Sequence, residues 1–276
     1  WFTEVPELLN RPFTRQAWRF MIHLFLRGKI QCFTVGSELA AILTKTWGKP
    51  FEVLRNMPHL QAQGSVKSNA DPIASDKTLN SIVPGLEGPY LLYQGALNMG
   101  RGLESLLEAA ALGLPYPLVI AGSGDLDEPL QGWVKDRKLE MNVRFTGPLD
   151  PSKLLHLTKN AFLGFNLLET PSQSYYYSLA NKFFDYVQAG LPQVCMDYPE
   201  YRNHMALHRV GWLIQNTEPS LIVQCCRRIA EDPDAYRIMR ENCQRAAVEW
   251  NWEHESAALK RKLMKWRDRL QPIKRS

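Results

Sequence analysis

The chain has 276 residues, 45% hydrophobic and 22% charged, a globular balance that allows one large domain or two modest ones. Its 33 basic and 28 acidic residues leave a net charge of +5 with both signs interspersed, whereas a dedicated nucleic-acid binder would carry a denser basic stripe. No apolar run approaches the ~18–20 residues of a membrane span, no signal peptide opens the sequence, and Cys32, Cys195, Cys225, Cys226 and Cys243 form neither a CxxC pair nor a zinc spacing.

Several of those cysteines sit in apolar stretches, as small buried hydrophobes do, so a reducing, cytoplasmic compartment is expected. The chain opens on Trp1 with no complete domain start before the first helical pattern, so an incomplete chain is also expected. Trp18, Met21, Ile22, Leu24, Phe25 and Leu26 lie on a helical repeat interleaved with Arg15, Arg19, Arg27 and Lys29. Such a basic amphipathic helix packs against a domain core or rests on a membrane surface. Ile30 to Val35 reads as a short buried strand, with Ser37 capping a helix from Glu38 to about Trp47. Phe51 to Leu54 is a second strand, and the polar stretch from Gln61 to Asp76 is a linker or surface loop.

From Tyr90 onward strand and helix alternate. Strands are expected at Tyr90–Gln94, Pro117–Ala121, Val143–Thr146, Ala161–Asn166, Gln193–Met196 and Gly211–Ile214. Helices are expected at about Gly102–Leu112, Glu128–Arg137, from Ser152, and at about Leu179–Ala189, with more helix to the C-terminus. Short apolar strands separated by helices define an α/β fold, a doubly wound parallel sheet covered on both faces. Ligands of such sheets bind beyond the carboxyl ends of the strands.

Four loops at those ends carry the candidate chemistry. In Gly95-Ala96-Leu97-Asn98-Met99-Gly100-Arg101-Gly102 the glycines admit a phosphate close to the backbone, and Arg101 at the helix start can clamp a diphosphate. A plain turn with a solvated arginine is the competing account; neither GxGxxG nor a Walker pattern is present. Gly122-Ser123-Gly124-Asp125 suits an ordinary strand-to-helix turn. Arg144-Phe145-Thr146-Gly147 either lines a base pocket or is a buried strand ending at glycine. In the fourth loop, Ser178 and Leu179 lead into a helix on which Lys182 and Asp185 share a face. There the carboxylate can accept both hydroxyls of a ribose and the lysine can neutralise phosphate, unless the two simply form a surface ion pair. His204 and His208, four apart, share a helical face, but Met205 stands where an HExxH motif needs glutamate and no third metal ligand is apparent.

Ser178-Leu179-Ala180-Asn181-Lys182-Phe183-Phe184-Asp185-Tyr186, followed by Ala189-Gly190-Leu191-Pro192, resembles the S-L-P-N-K-F-F-E/D-Y … A-G-x-P signature of bacterial group-one glycosyltransferases, family four. Gly95 to Gly102 is similar to that family's G-R-L-x-x-x-K-G loop, with Ala96 in place of the arginine and Arg101 in place of the lysine. Asp185 takes the second acidic position of the family's E-x7-E motif; Tyr177 takes the first, and Glu169 is wrongly spaced to replace it. Pro199-Glu200 and Asn251-Trp252-Glu253 also match, as do Phe2 to Leu8 and Val53 to Pro58.

The resemblance implies a GT-B arrangement of two facing Rossmann-like domains. On it, residues 1–60 are the remnant of an acceptor-side domain, 61–88 a hinge, 89–250 the nucleotide-sugar-binding domain, and 251–276 a helix crossing back. It implies donor contacts by Gly95, Arg101, Ser178, Leu179, Lys182 and Asp185, beside the base pocket that Arg144 and Phe145 could line. The implied reaction is hexose transfer from a nucleotide-diphosphate sugar to a hydroxyl of a glycan or lipid-linked acceptor. It is metal-independent, needs no further cofactor, and retains the anomeric configuration. A non-catalytic sugar-nucleotide-binding fragment and a GT-B epimerase remain the alternatives, nucleic acid is not expected as a partner, and peripheral membrane contact is.

Overall fold

The computed structural model describes residues 12–28, 30–61, 76–169 and 173–270. The opening Phe2–Leu8 match, Lys29, most of the expected linker and Thr170–Ser172 lie outside them.

Six strands form the main sheet: β3 (Leu91–Gln94), β4 (Leu118–Ala121), β5 (Val143–Gly147), β6 (Leu163–Asn166), β7 (Gln193–Met196) and β8 (Gly211–Ile214), all parallel, in the order β5-β4-β3-β6-β7-β8. Every residue of β3, β4, β6 and β7 is buried, which is why these segments read as unbroken apolar runs rather than alternating ones. Alternate side chains enter two cores. Leu91, Tyr93, Leu118, Ile120, Leu163 and Phe165 fill the larger; Leu92, Val119 and Ala121 fill the smaller, beneath α3 (Lys77–Ile82) and α6 (Pro151–Asn160). Strand order reverses between β3 and β6, so the crevice outside Gln94 and Asn166 is the place for a ligand.

A smaller unit precedes this sheet. The parallel pair β1 (Cys32–Thr34) and β2 (Phe51–Val53) is joined through α2 (Ser37–Trp47), and α1 (Pro12–Leu26) runs ahead of it. The last helix, α12 (Trp252–Leu270), leaves the large sheet and runs against this unit. Trp252 N–H donates to Pro58 O at 2.9 Å, Arg55 N–H to Glu255 at 2.7 Å, Leu60 N–H to Glu253 at 2.9 Å, and Lys262 pairs with Glu52 at 2.8 Å.

Several local expectations change. Ser37 does not cap α2; Gly36 occupies that position without a side chain to offer, and Ser37 donates its hydroxyl to Glu200 instead. Asp150, not Ser152, opens α6, because a carboxylate accepts the Lys153 amide and the Ser152 hydroxyl together. The helix expected over 179–189 starts only at Asn181, as α8 (Asn181–Gln188), since the Tyr201 hydroxyl accepts the Ala180 amide and holds Ala180 extended; a separate turn, α7 (Gln173–Tyr176), precedes it. Part of the expected hinge, residues 76–88, packs into the large unit through Leu79, Val83 and Leu86. Of the apolar stripe expected on α1, Leu26 is buried while Trp18, Met21, Leu24 and Phe25 are exposed, so among the described residues only the end of this helix packs into a core; Phe13 and Phe20 are exposed as well.

Candidate functional site

The loop after β3 is clamped from both sides. Leu97 N–H donates to Ser123 O at 3.0 Å, Leu126 N–H to Leu97 O at 2.8 Å, and Asp125 N–H to the Asn98 side chain at 3.3 Å. A Cβ on Gly124 would meet Asn98 Oδ1 at 2.3 Å, and one on Gly122, whose φ is +146°, would lie 1.9 Å from Gly95 O. The Gly122–Asp125 turn, ordinary by sequence, therefore buttresses the Gly95 loop. On the other side Glu169 N–H donates to Gly100 O at 3.1 Å, and a Cβ on Gly102 (φ +67°) would lie 2.7 Å from Leu167 Cβ. Neighbouring loops thus fix the residues between Gly95 and Gly102 at the strand-order reversal.

Lys182, in the first turn of α8, extends across this loop. Its Nζ sits 3.8 Å from the Tyr93 ring centroid, and a Cβ on Gly95 would lie 3.6 Å from that nitrogen. The ring face attracts the ammonium but cannot replace lost water. Burial, reinforced by the charge of Arg101, brings the Lys182 pKa down from 10.5 to about 7; Cys195 and Asp185 offset this only in part. Neither Lys182 Nζ nor Arg101 Nε, both shielded from solvent, has a hydrogen-bond partner. Arg101 itself stands 5.5 Å from the Tyr175 ring.

One turn along α8, burial pushes the Asp185 carboxyl up to about 6, against the nearby Lys182 charge. The surface ion pair that the spacing also allowed is not formed, because both groups are turned into the protein and Lys182 Nζ has no hydrogen-bond acceptor. Two neighbouring cations, Arg101 depressing the charge of Lys182 and each with a donor to spare, suit a ligand carrying concentrated negative charge. The first-turn amides of α8 add to that field, since Ala180 offers no side-chain cap.

Other predicted residues are placed differently. The Ser178 hydroxyl and amide both donate to Tyr175 O, at 2.9 and 3.2 Å, and Leu179 is a buried side chain with only its backbone to offer. Arg144 belongs to the second position of β5, about 10 Å from its carboxyl end at ~3.3 Å per residue, and turns to Met141 Sδ at 3.6 Å. It is not brought to the crevice. Phe145 packs against the larger core. Glu169 faces Ser105 and Thr217, and burial raises its pKa. Tyr177, in the place expected for an acidic residue, meets Tyr176 edge-on at 4.9 Å.

Among the described residues no three His, Cys, Asp or Glu side chains gather as a metal site. His204 is buried rather than on a helix surface, bonded to Glu200 O at 2.7 Å, while His208 bonds Glu249 at 2.9 Å; both rings lean on Trp250. Tyr93, Asn98 and Tyr201 were not singled out by sequence, because in a strand, a turn and a helix they carry no motif of their own. Tyr201 links Ala180 N–H, at 3.2 Å, to Asn166 Oδ1, at 3.3 Å, bridging the start of α8 and the end of β6.

A doubly wound sheet with a crevice at its switch point is the α/β architecture in which ligands bind outside the carboxyl ends of the strands. Residues 76–249 match the glycosyl transferases group 1 family, and the chain belongs to it. No curated protein matches it. Among solved structures, Anabaena HepE in complex with UDP superposes with a TM-score of 0.68 at 15% identity, covering 85% of this chain and 64% of HepE. TarM aligns at 0.69 and 11% identity, covering 91% of this chain and 46% of TarM. WaaG, a glycosyltransferase involved in lipopolysaccharide biosynthesis, aligns at 0.60 and 16%, covering 82% and 60%. These likenesses establish the shared GT-B fold, and the chain spans less than two thirds of each of those proteins.

Proposed function

We propose that this chain forms the donor-binding part of a family-four glycosyltransferase that moves a hexose from a nucleotide-diphosphate sugar to a hydroxyl of a glycan or lipid-linked acceptor. The observation that carries this reading is the pair Lys182 and Arg101 at the switch point of a group 1 domain, with Lys182 Nζ and Arg101 Nε shielded and without hydrogen-bond partners. HepE, placed in the same fold, is a UDP and UDP-glucose complex, which supports a sugar nucleotide in this crevice. As the bond between the anomeric carbon and the diphosphate oxygen breaks, charge builds on the leaving group, where Lys182, Arg101 and the α8 amides would hold it. The acceptor oxygen forms the new bond, and its proton leaves to a base that no side chain described here supplies. These cations provide the charge stabilisation without calling on a metal ion. The division into an acceptor-side unit to residue 60, a connection over 61–88, a donor domain over 89–250 and a returning helix from 251 completes the reading; the contacts of α12 with residues 52–60 support its last part.

Titrating a panel of nucleotide sugars by calorimetry tests the site. Arg101→Ala and Asp185→Ala are each expected to weaken the best ligand by at least ~1 kcal/mol, about fivefold; wild-type affinity in both would end the assignment. Release of free epimerised sugar without acceptor would point to an epimerase instead. Affinity should also fall as pH drops through about 6, because a protonated Asp185 cannot accept both ribose hydroxyls. The sign for folding is opposite. A raised folded pKa means the native state holds the proton longer, so Asp185 costs stability as pH rises from about 4 to about 6. Asp185→Asn should lift the unfolding midpoint at pH 7 but not at pH 3.5.

Peripheral attachment belongs to the same proposal. α1 exposes Phe13, Phe20 and Phe25, carries Arg19 and has no acidic residue, which suits an anionic lipid surface. Vesicles containing phosphatidylserine should sediment the protein, and Phe20→Asp/Phe25→Asp should abolish this; equal binding to neutral vesicles would contradict the charge argument.

A further inference from the structure

Glu200 is a fully buried carboxylate on α9 (Pro199–Leu207), yet its principal partners belong to the small N-side unit. Oε1 accepts the Glu38 amide at 2.8 Å and the Ser37 hydroxyl at 3.0 Å, and so supplies from 162 residues away the cap that Gly36 cannot give α2. Gly36 is the counterpart of this fit: a Cβ there would lie 2.6 Å from Oε1 and 2.8 Å from Cδ. Oε2 is shielded and without a partner. A carboxylate desolvated this completely and only half satisfied is costly as plain packing.

The same helical turn holds the candidate donor site from behind. Tyr201, the next residue, accepts the Ala180 amide and reaches Asn166. The Glu200 carbonyl bonds His204, whose ring packs on Phe183 and Phe184 of α8. One side of the first turn of α9 thus grips the amide end of α2, and the other fixes the residues that aim Lys182.

We propose that Glu200 is a positioning residue: by capping α2 it sets α9, and through Tyr201 the Ala180–Lys182 segment, so that docking of the small unit and order in the donor site are coupled. This rests on the donor-site reading above for its functional meaning. Coupling of this kind is reciprocal, so a change on the Gly36 side must be felt at Ala180.

Amide hydrogen exchange reads the coupling without a ligand. Gly36→Ala and Glu200→Ala are each expected to speed exchange at Ala180 and Asn181 about tenfold, the factor typical of a lost cap, while Leu91–Gln94 stays at wild-type rates. The double variant should add little, and Glu200→Gln, which keeps an acceptor at Oε1, should retain protection. If Glu200→Ala loosens Leu91–Gln94 as well, Ser37→Ala removes one of the two hydrogen bonds and gives the same reading at smaller amplitude. Exchange at Ala180 and Asn181 that ignores Gly36→Ala while the start of α2 opens would overturn the proposal. Titration with UDP-glucose separates this from the site itself. Lost affinity in Lys182→Met with none lost in Glu200→Ala refutes the coupling and leaves the site. Binding indifferent to Lys182→Met refutes the site, and the exchange rates then decide the coupling alone.

Discussion

Replacing Lys182 with methionine is expected to stabilise the free protein while removing most of its affinity for a nucleotide sugar. The lysine Nζ is shielded over the Tyr93 ring and lies within the field of Arg101, so its folded pKa is about 7 against 10.5 when unfolded. Below pH 7 both states carry the charge and only the folded one bears its burial; the penalty is then complete. Between pH 7 and 10.5 the unfolded chain alone holds the proton, so native stability climbs with pH, and above 10.5 the penalty is gone. Lys182→Met should therefore gain about 1–3 kcal/mol at pH 6 and almost nothing at pH 10.5, read by urea unfolding at the two pH values. A diphosphate reverses the balance by supplying the missing counter-charge. Losing a charge-assisted bond of about 2–3 kcal/mol lowers affinity roughly 30- to 150-fold. Binding at pH 8 should also draw in close to one proton, measured by calorimetry in buffers of different ionisation enthalpy, and none in Lys182→Met. A wild-type titration without proton uptake at pH 8 would mean that Lys182 does not meet the phosphates.

Gly122→Ala should be among the most damaging single substitutions. Its Cβ would fall 1.9 Å from Gly95 O, and backbone at φ +146° is itself hostile to a side chain. Neither side can yield, because both are main chain stitched by neighbouring hydrogen bonds. Strain and overpacking together should cost about 3 kcal/mol or more. The protein that remains folded should bind donor poorly, since the Gly95 backbone beneath Lys182 has to move. Gly132→Ala is the matched control. It lies in the helix Asp127–Asp136 with open space around its Cβ, and should gain about 0.5–1 kcal/mol from helix propensity. Equal unfolding midpoints for the two variants would refute the clamped-loop description.

The parallel sheet was legible because β3, β4, β6 and β7 are buried on both faces, and such strands leave a compositional trace, a short unbroken apolar run between turn residues. The position of Lys182 and Asp185 on one helix face was legible for the same local reason. What was not legible depends on contacts between distant segments. Nothing around Ser37 announces that its cap partner is residue 200, and a serine before a helix is ordinarily the cap itself. Tyr93 reads as one more core aromatic until Lys182 is laid over it. Arg144 looked useful as a cation near a glycine turn, but strand register puts it at the wrong end of β5. Residues 179 and 180 have a helical pattern yet stay outside the helix, since Tyr201 competes for the Ala180 amide.

Gln188, at the end of α8, has a mechanical consequence. Its amide group donates to Ala247 O and Trp250 O, while its oxygen accepts the Gln61 amide. Because α12 is bonded to residues 52–60, the small unit and the last helix form one hydrogen-bonded piece, and the Trp250–Asn251 break joins that piece to the helix packed on the large sheet. That junction is tied to the far end of the helix whose near end carries the ammonium. A change at the start of α12 should therefore be felt along α8, up to the turn that holds Lys182.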